Sequence, residues 1–120
     1  MVRWGKGSIV NLGSVNGLSG IAQSALYGAT KAALQSLTKS WAAEYGPMGV
    51  RVNTVVPGLT LTARVIEVED LIAPMLASYP SRRASTPEEV AAAVVFLASD
   101  DASNIHGATL SVDGGRSAVS

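Results

Sequence analysis

The sequence predicts an α/β layer fold, three parallel strands with flanking helices, and three features point to it. Short β-branched segments alternate with longer segments of helical periodicity, as strand–helix–strand units of a parallel sheet require. Each strand candidate stops at turn-forming residues: Gly13-Ser14, Pro57-Gly58 and Gly114-Gly115. The chain has 120 residues, 48% of them hydrophobic, which is one domain (1–120) by length and enough apolar material for a core.

The elements follow in order. Ser8-Ile9-Val10-Asn11-Leu12 lies between Gly5-Lys6-Gly7 and Gly13-Ser14 and predicts a buried strand over 8–13. A Gly/Ser-rich connection leads into Ser24–Tyr45, where Leu34, Leu37, Trp41 and Tyr45 recur at spacings of three and four until Gly46-Pro47, the pattern of a long amphipathic helix with those residues on its buried face. Val50–Val56 is β-branched and makes the second strand. Residues 65–79 have helical register, with Pro74 expected to kink or divide them. Thr86-Pro87-Glu88-Glu89 combines a Thr cap, Pro at the first helical position and Glu three residues after the cap. Val90, Ala93, Val94 and Leu97 then form the buried face of that helix, and Ala108–Val112 is the third strand.

Composition narrows the function. Nine Lys+Arg balance nine Asp+Glu, so there is no field to collect nucleic acid or an anionic membrane surface. Without cysteine, and with His106 as the lone histidine, neither a thiolate nucleophile nor a Cys/His metal cluster is expected. No apolar run is long enough to span a bilayer and the first residues do not resemble a signal peptide, which fits a cytoplasmic protein. Ser36-Leu37-Thr38-Lys39 matches the S-x-x-K pattern of acyl-transfer enzymes, but it lies in mid-helix without the S-D-N or K-T-G elements that accompany it.

Tyr27 and Lys31 stand four apart on the long helix, on one face and one turn from each other. An ammonium beside a phenol favours the phenolate, which suits the hydroxyl for proton transfer. Ser14 and Pro57-Gly58 occupy carboxyl ends of strands, where ligands gather in open parallel sheets. A hydroxyl donor, a phenol and a cation would converge there, as carbonyl reduction or alcohol oxidation needs.

Gly13-Ser14, Tyr27-Gly28-Ala29-Thr30-Lys31, Asn53-Thr54-Val55-Val56-Pro57-Gly58, Pro87-Glu88-Glu89-Val90, Phe96–Asp100 and Val112-Asp113-Gly114-Gly115 together resemble, in order and spacing from Gly7 to Gly115, the carboxyl half of a short-chain dehydrogenase/reductase of the 3-oxoacyl-acyl-carrier-protein reductase kind. The resemblance implies a Rossmann-like three-layer fragment and a nicotinamide cofactor, NAD or NADP. It implies hydride transfer to or from a small-molecule carbonyl or alcohol substrate. Tyr27 would be the proton donor or acceptor, Lys31 its electrostatic partner and a ligand of the nicotinamide ribose, and Ser14 the hydrogen-bond donor to the substrate oxygen. Pro57 and Gly58 would back the nicotinamide, and Thr62 would contact its amide or phosphates. The family's Gly-rich pyrophosphate turn is not found upstream of Gly5. The expectation is therefore about half of an enzyme, binding dinucleotide weakly by itself and needing a complementary half. The alternative is a non-catalytic, self-associating α/β fragment with an unused site. Either way a homo-oligomer is expected, through the edge of the first strand or the long helix.

Overall fold

The central element of the computed structural model, which describes residues 1–119, is a fully parallel three-stranded sheet ordered β1 (Gly7–Leu12), β2 (Val50–Pro57), β3 (Thr109–Val112). β2 is buried from Val50 to Val56, as a middle strand covered on both faces must be. Its side chains alternate between two layers. Val50 and Val52 pack with Ala42 of α1 (Ala25–Tyr45), together with Ile9, Trp41 and Tyr45. Val55 packs with Leu97 and Ala102 on the opposite face, where Val90, Ala93 and Val94 of α4 (Pro87–Ala98) close over it. Burying one such valine or leucine contributes about 1.5–3 kcal/mol.

The polar residues of β2 obey the same alternation. Arg51, on the α4 face, donates to the carbonyls of Leu97 at 2.7 Å and Ser99 at 2.9 Å, placing a cation at the negative end of the α4 dipole. Asn53 clamps the turn before β3 by donating to the Ile105 carbonyl and accepting from the Ala108 N–H. Thr54, on the α1 face, donates to Thr38.

The α4 start is as expected: the Thr86 side chain accepts from the Glu89 N–H and the Glu89 side chain accepts from the Thr86 N–H. Arg83 holds Glu89 in a two-pronged ion pair on the surface and keeps its carboxyl below the usual carboxylate range. Strands and long helices fall within a residue of the expected bounds.

Three expectations are corrected. β1 is half-buried rather than buried, with Leu12 exposed, because only β2 pairs with it among the described residues. Residues 63–76 form two helices, α2 (Ala63–Ile66) and α3 (Glu69–Leu76), and the break lies at Glu67-Val68. Pro74 does not divide them; it sits inside α3, where only the Asp70 carbonyl loses its partner in a helix of eight residues. On α1 the buried residues are Gln35, Thr38 and Ala42, one position round from the apolar stripe. Leu37 is left exposed, and Leu34, Trp41 and Tyr45 are half-buried at the flank.

No helix among the described residues is long and apolar enough to cross a membrane. The core assignment makes a simple prediction. Leu97→Ala should lower the unfolding free energy by about 2–5 kcal/mol in urea denaturation, because the void opens between β2 and α4 where neither can collapse; a loss below about 1 kcal/mol would contradict it.

Candidate active site

The carboxyl end of β1 is held by one polar line along α1. Lys31 Nζ donates to the Leu12 carbonyl at 2.9 Å, Gln35 Oε1 accepts from the Ser14 N–H at 3.0 Å, and Thr38 Oγ1 accepts from Asn11 Nδ2 at 2.9 Å and from Thr54 at 2.6 Å. Lys31, Gln35 and Thr38 follow helical spacing, so one helix face touches Asn11, Leu12 and Ser14 at the end of β1 and Thr54 of β2. Gly28 allows the first turn of α1 to pass close to the loop after Ser14: a Cβ there would lie 2.9 Å from the Asn16 carbonyl oxygen.

Ser14 caps the 3-10 turn Val15–Gly17, its Oγ accepting from the Asn16 N–H at 3.1 Å, which leaves the hydroxyl proton free to donate outward. Tyr27, in the first turn of α1, is 50% exposed. The Lys31 ammonium lies over its ring, 5.7 Å from the centroid, a cation–π arrangement. Ser14, Tyr27 and Gly58 line one cavity of about 430 Å³ at the carboxyl ends of the strands. Lys31, Pro57 and Thr62 are not in its lining. Lys31 stands behind Tyr27, Pro57 ends β2 beside Gly58, and the Thr62 hydroxyl caps α2 by accepting from the Val65 N–H at 3.4 Å.

The other walls come from distant segments: Met75 from α3, Tyr79 beyond it, and Arg116 and Ser117 from the turn after β3. Tyr79 is buried, and that burial pushes its phenol up, with Arg116 opposing and Asp113 adding to the rise. Burial alone would raise the Asp113 carboxyl too. Hydrogen bonds from the Ser117 hydroxyl and N–H and from the Gly115 N–H outweigh burial and hold it below the ordinary carboxylate value. Among the described residues no group of three or more His, Cys, Asp or Glu side chains could hold a metal ion.

Sequence reasoning missed Gln35, Thr38, Asn11, Tyr79 and Arg116. The first two were legible as polar residues at helical spacing from Lys31. Tyr79 and Arg116 carry no local signal, because only the closing of the chain brings them to Ser14 and Tyr27.

Comparison with known proteins gives three findings. Residues 1–117 match the family described as Enoyl-(Acyl carrier protein) reductase. The chain is 46% identical over 122 residues to 2-(S)-hydroxypropyl-CoM dehydrogenase 3 of Xanthobacter autotrophicus, a match covering 95% of this chain and 48% of that relative. Among solved structures, a short chain dehydrogenase/reductase family protein superposes with a TM-score of 0.89 at 52% identity, covering 99% of this chain and 49% of that one. The structure of ElxO with NADP bound superposes at 0.92 with 36% identity, covering 99% and 50%. The chain thus spans about half the length of the curated relatives it matches.

Two predictions test the scaffold of the site. Gln35→Ala strips the acceptor from the Ser14 N–H and should cost about 1–3 kcal/mol of stability in chemical denaturation; an unchanged midpoint would remove Gln35 from its role. Asp113 has a folded-state pKa below its unfolded value, so its stabilisation is full above the unfolded pKa of about 3.9 and is lost as pH falls through the folded value. Wild type should exceed Asp113→Asn in thermal stability at neutral pH, and the gap should close on acidification; a gap independent of pH would refute the linkage.

Proposed function

Since the chain belongs to the short-chain dehydrogenase/reductase family, we propose that it carries the substrate-side chemistry of an oxidoreductase that moves a hydride between a nicotinamide cofactor, NAD or NADP, and a small carbonyl or alcohol substrate. The observation that carries this reading is the meeting of Ser14 and Tyr27 on one cavity at the strand ends, with the Lys31 ammonium over the Tyr27 ring.

In reduction, the Tyr27 hydroxyl delivers a proton to the substrate oxygen as hydride reaches the carbon; in oxidation it accepts that proton. Negative charge building on the phenol is favoured by the fixed ammonium of Lys31, which is pre-oriented by the Leu12 carbonyl and reorganises little during the reaction. Ser14, with its proton free, donates to the same substrate oxygen and fixes its position. A bound nicotinamide supplies or takes the hydride.

The residues present fit the nicotinamide end of such a cofactor. Lys31 has donors beyond the one given to Leu12, Tyr27 is half-exposed beside it, and Pro57-Gly58 forms the adjoining strand end. Lys31 and Tyr27 would hold the ribose, Pro57 and Gly58 would back the ring, and Thr62 would meet its amide or phosphates. None of the three strands runs through a G-x-G-x-x-G turn into a helix among the described residues, so the fit is to that end alone. The NADP held in the ElxO structure supports a nicotinamide cofactor for a chain of this architecture.

Self-association belongs to the same reading. β1 pairs only with β2 among the described residues, which leaves its outer edge with free backbone groups, and Leu26 of α1 is 81% exposed.

Nicotinamide absorbance under saturating ketone or secondary alcohol tests the chemistry in protein carrying this chain. Tyr27→Phe should lose on the order of 10²-fold or more in turnover while melting within a few degrees of wild type. Equal turnover in the two proteins would overturn the assignment.

A further inference from the structure

We infer that the cavity holding Ser14 and Tyr27 has a second, anion-recognising end built from Arg116 and Tyr79, so that the substrate is a carbonyl or alcohol compound that also carries a carboxylate or like-charged group. This rests on the oxidoreductase reading and adds to it the class of substrate.

The cavity lining is otherwise uncharged. Its remaining walls are small, apolar, hydroxyl-bearing or, at Asn16, an amide, and Arg116 is the one formally charged side chain among the described residues that line it. No acidic side chain among the described residues lines the cavity with it. The nearest in sequence, Asp113, has both carboxylate oxygens engaged, one by the Gly115 N–H and the other by the Ser117 N–H and hydroxyl. The guanidinium of Arg116 enters no ion pair and no hydrogen bond among the described residues, in contrast to Arg51 and Arg83, whose guanidinium groups are both engaged. A planar guanidinium left open on a concave surface matches a carboxylate bidentately.

Tyr79 supplies the second donor. Its side chain is 3% exposed, lines the same cavity, and its hydroxyl makes no hydrogen bond within the described residues. Its phenol is protonated, hence a donor, at neutral pH, and burial moves it further that way. The two residues are held together by main-chain stitching. The Ser81 N–H donates to the Gly114 carbonyl at 3.0 Å, and Gly115, at φ +87°, lets the turn lie on Pro80, where a Cβ would come within 2.6 Å of the proline ring. Residues 79–81 and 113–116 are thus tied into one corner, which brings a cation and a hydroxyl into the lining of the cavity that Ser14 and Tyr27 also line. At about 430 Å³ the space lies at the low end for small-molecule sites, which suits a short oxo- or hydroxy-acid.

The anionic group could come from the substrate or from a cofactor phosphate, and kinetics separate the two. The full chain is titrated calorimetrically with 3-oxobutanoate, 4-oxopentanoate and 5-oxohexanoate, each against its methyl ester. Turnover of the same pairs is measured in protein carrying the chain. At least one acid should bind and react tenfold or more better than its ester, with the preference in KM. Arg116→Gln should erase that preference by bringing the KM of each acid to that of its ester, Arg116→Lys should restore part of it, and Tyr79→Phe should reduce it about threefold to tenfold. Equal affinity for acid and ester across the series, or a preference that survives Arg116→Gln, overturns the inference. So does a rise confined to the cofactor KM, which would assign Arg116 to a phosphate. Absence of turnover alongside Arg116-dependent acid binding would leave the anion end supported and sink the hydride-transfer reading instead.

Discussion

The architecture depends on a polar line running down α1, buried at Gln35 and Thr38 and reaching the surface at Lys31. Lys31, Gln35 and Thr38 lie on the face that a simple hydrophobic helix would fill with leucine, and their partners are the Leu12 carbonyl, the Ser14 N–H, and the Asn11 and Thr54 side chains. Hydrogen bonds are directional where apolar contacts are not, so this line fixes the height and rotation of the helix against the sheet. Leucines there would still pack, but they would allow α1 to slide by a fraction of a turn. Since Tyr27 is one turn before Lys31, and Ser14 is held by Gln35, the same bonds that dock the helix also set the phenol and the serine hydroxyl against the cavity. Docking and positioning are one interaction.

The α4 side of the sheet works differently. Valines and Leu97 make an apolar layer there, and the polar exceptions, Arg51 and Asn53, point at main-chain groups at the end of α4 and in the turn before β3. A buried guanidinium is costly to desolvate, yet at a helix C-terminus it meets several unpaired carbonyls and a favourable dipole. β2 therefore organises both layers by strict alternation, one side chain in two for each helix. Among the described residues the sheet has three strands, so a middle strand saturated with contacts on both faces supplies much of the rigidity of the strand ends that line the cavity.

The cavity itself is assembled from segments with unequal constraints. Its floor comes from regular elements, β1 and α1, whereas the far wall comes from the region around Tyr79 and the turn after β3. That turn is braced internally by Asp113 and tied to the wall by the Ser81 N–H on the Gly114 carbonyl and by the close approach of Gly114-Gly115 to Pro80-Ser81, so a loop is given the definition of a packed element. On the reading proposed above, reaction geometry belongs to the floor and recognition of the rest of the substrate to the wall.

By itself the sequence determined the order and type of the elements, because these follow from local rules: β-branched runs bounded by glycine, a Thr-Pro-Glu-Glu helix start, and Gly-Pro at a helix end. It also brought out Ser14, Tyr27 and Lys31 as residues worth joining, since Tyr27 and Lys31 share one helix face and Ser14 closes a strand. Only tertiary structure decided which face of α1 is buried, because the apolar stripe of Leu34, Leu37, Trp41 and Tyr45 loses to a polar line whose value depends on partners in other strands. It likewise decided that Pro74 is tolerated inside α3, and that Tyr79 and Arg116, far from Tyr27 in sequence, share its cavity. The physical reason is common to these cases. Periodicity and capping are properties of a few neighbouring residues, whereas the worth of a buried glutamine or an unpaired arginine is set by what the folded chain places opposite it.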